Sequence, residues 1–136
     1  MKFDTKIAVV VCDELAVWQR LNATAFLISG VAASHPEAIG EPYEDADGQT
    51  YLPMFRQPVL VFAGDRSAVR RGFDRASQRG LEVSLYTEDL FATGHDEANR
   101  AAVQAVPTAG LDIVGFALRG DRSLVDKALD KLRLHP

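Results

Sequence analysis

The sequence has a single cysteine, Cys12, so it cannot form an internal disulfide. No apolar run approaches the roughly 20 residues that a membrane-spanning helix needs. Isolated glycines such as Gly64, Gly94 and Gly120 do not form a phosphate-cradling loop. The three histidines are widely separated and none has metal-ligand spacing with Cys12. We therefore expect no metal, no cofactor and no membrane partner.

Positive charge is also scarce, with 15 Lys and Arg against 19 Asp and Glu and a net charge of −4. This balance disfavours a broad nucleic-acid-binding surface. The first six residues lead straight into an apolar strand without the pattern of a signal peptide. With 136 residues, of which 47% are hydrophobic, the chain is expected to be a single cytoplasmic domain spanning 1–136.

Strand and helix patterns alternate along the chain, which is typical of an α/β fold. We expect a three-layer domain with a mostly parallel four-stranded sheet and helices on both faces. In the first helix, Leu21, Ala25, Ile28 and Ala32 are expected to face the core. The predicted strands are 7–12, 58–63, 82–86 and 112–118, and the predicted helices are 15–33, 67–78, 96–106 and a last one from 121.

The corner between the first strand and first helix carries Trp18, Gln19 and Asn22. In sheets of this kind ligands bind beyond the carboxyl ends of the strands, which places this corner beside 87–95 at a crevice. An aromatic ring and two amides could line a pocket for a small polar ligand. Alternatively, Trp18 anchors the core and Asn22 holds a neighbouring loop.

The pattern Ile-Ala-Val-Val-Val, followed by Leu-Ala-x-Trp-Gln-x-Leu-Asn-Ala-x-Ala-Phe-Leu, spans 7–11 and 15–27. It resembles the domain-of-unknown-function 2000 family of small bacterial proteins, and this resemblance covers essentially the whole chain. The order of elements is similar to the type II peptidyl-tRNA hydrolase fold. These resemblances imply a peptidyl-tRNA hydrolase II-like domain over 1–136 and, by analogy, a homodimer. No activity is attached to the closer family.

Type II hydrolases carry Gly-Lys-x-Ala-x-Gln-x-x-His on the first helix, which places Arg20 at the lysine, Thr24 at the glutamine and Leu27 at the histidine. The loop motif of those hydrolases is Asp-Ala-Gly-x-Thr. Asp89 and Thr93 match its first and last residues, but this chain has no glycine between them. The resemblance implies an ester or amide hydrolase in which Asp89 and Thr93 orient water and Arg20 stabilises the oxyanion. The missing glutamine and histidine weaken this alternative.

Two further patterns remain open. Cys12 ends the first predicted strand and His95 follows the loop after the third, so we expect both at the same edge of the sheet. They form a candidate nucleophile pair, with a small buried cysteine as the alternative. A third function is RNA binding through the arginines of the second helix, with an ordinary exposed face as the alternative. The leading hypothesis is a non-catalytic or regulatory module that holds a small polar ligand among Trp18, Asn22, Asp89 and Thr93. The arginines are Arg66, Arg70, Arg71, Arg75 and Arg79.

The segment 34–50 is polar and contains five acidic residues. Asp47-Gly48 predicts a turn within it, and the following residues 51–55 predict a short edge strand. A long polar loop beside a crevice is often functional. The sequence leaves open whether this one is a mobile lid or a packed flap.

Overall fold

The computed structural model describes residues 3–136. Met1 and Lys2, at the start of the segment expected to carry no signal peptide, lie outside the described residues. Short 3-10 helices occur at Pro36–Ala38, Glu88–Ala92 and Thr108–Gly110. The other elements are β1 (Thr5–Cys12), α1 (Val17–Ser34), β2 (Tyr43–Glu44), β3 (Thr50–Tyr51), β4 (Val59–Gly64), α2 (Arg66–Gln78), β5 (Ser84–Thr87), α3 (Asp96–Gln104), β6 (Ile113–Asp121), α4 (Arg122–Ala128) and β7 (Arg133–Leu134).

The central sheet has five strands in the order β5-β6-β1-β4-β7. β1 lies in the middle, and Ile7 to Cys12 are almost fully buried there. It pairs in parallel with β4, so that Val9 lies opposite Val61, and antiparallel with β6, where Val9 meets Ala117. β5 and β7 are antiparallel to their neighbours at the two edges.

The expected four-stranded, mostly parallel sheet is therefore corrected to a mixed five-stranded sheet, in which only β1 and β4 pair in parallel among residues 3–136. The apolar run 113–118 indicates a strand that is buried on both faces of the sheet. Burial alone does not indicate whether that strand is parallel or antiparallel to its neighbours. The fifth strand, β7, has only two residues and follows a chain reversal at Lys131, where φ is 75°. The last helix ends at Ala128, before that reversal.

Helices cover both faces of the sheet, as expected. α1 lies across β6, β1 and β5, whereas α2 and α4 pack together on the other face. Neighbouring residues of β6 face opposite helices. Gly115 faces α1, where an added Cβ would lie 3.0 Å from Leu27, and Phe116 faces α2, where it lies against Gly72. Gly115 therefore permits a close approach of α1 to the sheet.

The inner face of α1 differs from the prediction. Ala23, Leu27 and Val31 are buried, whereas Leu21 is 68% exposed. The expected stripe of Leu21, Ala25, Ile28 and Ala32 lies about a third of a turn away around the helix. The sequence could not decide between them because both rows have helical spacing and both are apolar.

Helix termini follow local rules. Asp65 Oδ1 accepts a hydrogen bond from Ala68 N–H at 2.8 Å and caps α2, as the sequence predicts. Gly80 follows α2 with φ of 71°, a conformation that glycine adopts readily. No helix within residues 3–136 combines the length and apolarity needed to cross a membrane.

The acidic segment forms a hairpin of β2 and β3 with its turn at Asp47-Gly48, as predicted. Residues 41–54 are all exposed. We call these residues the arm. It joins the body where Gly40 N–H donates to Met54 O at 2.8 Å. Because the whole arm is exposed, it is not packed as a flap against the body.

Candidate functional site

The carboxyl ends of β1, β4 and β5 lie at the same edge of the sheet because these three strands point the same way. The first turns of α1 and the loop after β5 lie at this edge. Between them is an open cleft of about 280 Å³. Its lining comes from α1, β5, the 3-10 helix Glu88–Ala92, the turn after it and the start of α3. The lining residues are Trp18, Asn22, Phe26, Tyr86, Leu90, Phe91, Thr93, Gly94, His95, Asp96 and Asn99.

Aromatic rings form the apolar wall of this cleft. Trp18 packs edge-on against Phe91 with ring centroids 5.8 Å apart, and Phe91 lies 4.9 Å from Tyr86. Phe26 lies 6.1 Å from Tyr86 on the other side. Trp18, Asn22 and Phe26 are four residues apart, which places them in one row along α1. Trp18 and Phe26 stay 60% and 56% exposed, so much of the wall faces solvent.

Two polar groups lie within this wall. The Tyr86 hydroxyl donates a hydrogen bond of 3.4 Å to Asn22 Oδ1. Burial raises the pKa of Tyr86 above its ordinary value, which keeps the hydroxyl protonated as a donor near neutral pH. The Thr93 hydroxyl contacts Leu90 O at 3.0 Å and the Asn99 side-chain amide. Amide and hydroxyl groups are thus held beside the rings.

His95 closes the cleft as the N-cap of α3. Its Nδ1 accepts a hydrogen bond of 3.2 Å from Ala98 N–H. Because Nδ1 is the acceptor, the proton of the neutral ring resides on Nε2. His95 is exposed and its neighbour Asp96 pairs with Arg100 at 3.0 Å. Asp96 is the only carboxylate among the described lining residues, and no lysine or arginine is among them.

Three predicted site residues lie elsewhere. Gln19 Oε1 accepts from Ala16 N–H at 3.0 Å, which closes the first turn of α1. Arg20 Nη1 lies 3.2 Å from His135 Nε2, beside edge strand β7 and away from β5. Asp89 is exposed, and its side chain makes no hydrogen bond or ion pair with residues 3–136. The structure thus groups Trp18, Asn22 and Thr93 but not the other three.

Cys12 and His95 do not form a pair in this structure. The Cys12 thiol is buried, and its Sγ lies 3.7 Å from Glu14 Oε1. Burial raises the pKa of the Cys12 thiol; a hydrogen bond from the Glu14 backbone opposes this effect in part, and the charge of the Glu14 carboxylate adds to it. Glu14 in turn accepts from Arg66 N–H at 2.8 Å. Donor atoms of Cys12, Asp13 and Glu14 lie within 4.8 Å of one another, but the Glu14 carboxylate already binds the start of α2.

The arginines of α2 are engaged within the chain. Arg70 donates to Leu111 O and Thr108 O, at 2.9 and 3.0 Å. Arg75 donates to Ala128 O and Asp130 O, at 3.0 and 2.6 Å. Arg66 pairs with Asp112 at 2.7 Å, and Asp112 raises the Arg66 pKa further. Most of the arginines of α2 therefore have a structural role.

Tyr86, Phe91 and Asn99 were not singled out by the sequence. Tyr86 lies in a strand whose residues alternate between faces, and only the pairing with β6 determines which face it takes. Phe91 belongs to a loop without a periodic pattern. The available signal was a pair of apolar residues, Leu90-Phe91, inside an otherwise polar loop.

The comparisons with known proteins agree with one another. No functionally curated protein matches the chain. A solved structure of a protein of unknown function from Agrobacterium tumefaciens str. C58 is similar, with 49% sequence identity and a TM-score of 0.96. It aligns over 99% of this chain and 100% of that one. The model of the family described as "Protein of unknown function (DUF2000)" matches residues 5–136. The chain therefore belongs to the DUF2000 family.

Proposed function

We propose that this chain is a binding module that holds a small, planar, polar molecule in the aromatic cleft without transforming it. The observation that carries the proposal is the cluster of Trp18, Tyr86 and Phe91 beside the Asn22 amide. Trp18 and Phe26 are more than half exposed, and such rings gain hydrophobic free energy when a flat ligand covers them. The amide supplies direction, because Asn22 offers both a donor and an acceptor.

The charges around the cleft narrow the ligand class. Asp96 is at the mouth, and no lysine or arginine is among the described lining residues. An anionic ligand lacks a cationic partner there, whereas a neutral or cationic heteroaromatic ring meets no repulsion. The ligand class is therefore a flat ring with adjacent hydrogen-bond donors and acceptors, such as an aromatic amide or a nucleobase.

Binding can be measured by saturation-transfer NMR and calorimetry with nicotinamide, adenine and uracil as planar ligands and acetate as an anionic control. We expect a planar ligand to bind the wild-type chain and acetate not to bind. Trp18→Ala and Asn22→Leu should each weaken that binding about tenfold, which corresponds to about 1.4 kcal/mol. Leu21→Ala is the matched control, because Leu21 is exposed on α1 but does not line the cleft.

Two results would contradict the proposal. One is the failure of all three planar compounds to bind the wild-type chain. The other is unchanged affinity in both Trp18→Ala and Asn22→Leu, since the cleft would then not be the site of binding.

Similarity to the type II peptidyl-tRNA hydrolase fold remains part of this proposal, supported by the α/β order of elements. Hydrolysis has less support, because Arg20 lies beside His135 and Asp89 does not line the cleft with Thr93. We expect purified protein to release no N-blocked aminoacyl group from tRNA above the level of Asp89→Ala. Release that Asp89→Ala abolishes would instead favour the hydrolase.

A further inference from the structure

A second cavity lies at the end of α1 and β5 opposite to the aromatic cleft. It measures about 270 Å³ and is bounded by the last turn of α1, the start of β5 and the later residues of β6. Pockets for drug-sized ligands usually measure about 300–1,000 Å³, so this cavity suits a smaller molecule. It shares no lining residue with the aromatic cleft, so the two cavities are separate places on the molecule.

This cavity exists because α1 ends before β6 does. A Cβ at Gly30 would lie 3.0 Å from the Ser84 Cβ, so the helix lies close against β5 at that point. One turn later α1 ends at Ser34, whereas β6 continues past its pairing with β5. Ala117 and Arg119 alternate with their neighbours and face the α1 side of the sheet. They line the space that the helix leaves open.

Arg119 supplies the positive charge of the cavity. Its side chain is only 14% exposed, and its Nε donates a hydrogen bond of 3.1 Å to Oε1 of buried Gln57. Its Nη1 donates to Glu37 Oε1 at 2.9 Å. Nη2 makes no hydrogen bond with residues 3–136, and solvent reaches it. A guanidinium that is fixed on one side and has free N–H groups on the other is preorganised to bind a carboxylate.

The opposite side of the cavity attracts positive charge. Glu82 is exposed there and makes no hydrogen bond or ion pair with residues 3–136. The end of α1 adds free carbonyl groups, because the C-cap residue His35 donates no backbone hydrogen bond to the helix and Pro36 has no N–H. Unpaired carbonyls at the C-terminal end of a helix favour a cation. An ammonium group therefore finds both a carboxylate and carbonyl oxygens here.

The charges of the cavity favour a ligand that carries both signs. Arg119 and Glu82 face the same cavity but do not pair with each other, since Arg119 pairs with Glu37 among residues 3–136. A simple anion would meet two carboxylates against one guanidinium. A simple cation would meet the guanidinium. A molecule with a carboxylate and an ammonium group a few bonds apart matches both sides.

We propose that this cavity is a second binding site and takes a small α-amino acid as its zwitterion. The carboxylate of the ligand binds Arg119 Nη2, and its ammonium group lies between Glu82 and the free carbonyls at the end of α1. The rest of the lining includes Val31, Val83 and Ala117, which are apolar and leave little room. The side chain of the ligand is therefore short and uncharged.

NMR titration of the ¹⁵N-labelled chain tests the proposal with glycine, L-alanine and L-serine. Acetate and methylamine are the matched probes, because each carries only one of the two charges. We expect at least one amino acid to shift the amide signals of Ser84 and Ala117 in a saturable way. Acetate and methylamine should cause no saturable shift at the concentrations at which that amino acid saturates the chain.

Two exposed positions allow the cavity to be changed without disturbing Arg119, which also holds Gln57 and Glu37. Glu82→Gln should weaken amino-acid binding about tenfold or more. Ser34→Phe should abolish binding because the ring fills the cavity, and circular dichroism should not change because the Ser34 side chain makes no hydrogen bond with residues 3–136.

Each variant has a matched control. Glu97→Gln removes the same charge at an exposed position of α3 that lines neither cavity, and Ala33→Phe adds the same ring at an exposed position of α1 outside the cavity. Both should leave binding unchanged, as should Trp18→Ala in the aromatic cleft.

Four results would overturn the proposal. The first is the absence of a saturable shift with all three amino acids, and the second is an equal effect of acetate alone, which would make the cavity an anion site. The third is unchanged affinity in both Glu82→Gln and Ser34→Phe. The fourth is loss of binding in Trp18→Ala, which would place the amino acid in the aromatic cleft.

Discussion

Cys12 shows how a reactive residue type becomes inert through its position. The thiol is buried at the end of β1 beside Glu14, and burial raises its pKa. Since the thiolate is the reactive form, we expect iodoacetamide at about pH 8 to label Cys12 about a hundredfold more slowly in the native chain than in urea. Mass spectrometry of the labelled protein measures this. Equal labelling rates would contradict burial of the thiol.

Tyr86 gives a prediction for alkaline pH. Burial raises its pKa in the folded chain above the ordinary value of about 10, so the unfolded chain loses the proton first as pH rises. Its contribution to stability is complete below about pH 10 and is lost as pH rises through the folded pKa. Urea unfolding should thus show a steeper alkaline loss of stability in wild type than in Tyr86→Phe. Tyr51, whose pKa is raised by its hydrogen bond to Asp45, is present in both proteins and does not affect the comparison.

At the scale of an element, substitutions at Leu27 and Leu21 test which of the two apolar rows of α1 holds the helix to the sheet. Leu27 is 1% exposed and contacts β6, whereas Leu21 is 68% exposed. Leu27→Ala should lower the free energy of unfolding by about 2–5 kcal/mol, because it leaves a cavity under the helix. Leu21→Ala should change it by less than about 0.5 kcal/mol, because the Leu21 side chain is largely exposed. Similar losses in both variants would contradict the assignment of the inner face.

Helix α2 gives a second prediction at this scale, because its arginines fasten the helix to neighbouring segments. Arg75 binds Ala128 O at the end of α4 and Asp130 O just beyond it. Arg75→Met keeps the apolar stem but removes both contacts, and we expect a loss of about 1–3 kcal/mol in urea unfolding. Arg71→Met is the control, since exposed Arg71 contacts only Ser67 Oγ at 3.1 Å, and it should be nearly neutral. An equal loss in both would mean that these backbone contacts add nothing.

For the whole molecule, the sequence predicted element types better than their pairing. The helix starting at Asp96, the Asp65 cap and the buried strand from Ile7 follow from local patterns, and the structure contains them. The direction of β6 and the existence of β7 depend on contacts between distant residues, which no local pattern encodes.

The candidate site, like the fold, could be predicted from local sequence only in part. Trp18 and Asn22 are one helical turn apart, so their shared face could be predicted from the sequence. Thr93 came from a motif resemblance and reaches the cleft through the turn before α3. Tyr86 and Phe91 join them only because β5 lies at the sheet edge next to α1. The same topology puts Arg20 beside β7, at the far side of the fold.

The charge distribution of the whole molecule leads to the last prediction, which concerns RNA. The arm holds four acidic residues, and the remainder of the chain is close to neutral. On α2, Arg70 and Arg75 are bound to backbone carbonyls, which leaves Arg71 as the most accessible guanidinium of the row. Too few free cations remain on this helix to release counterions from a phosphate backbone, so we expect no binding of tRNA through it in fluorescence anisotropy even at low salt. Affinity that falls steeply with salt, and that Arg71→Met reduces, would restore the arginine face as a nucleic-acid surface.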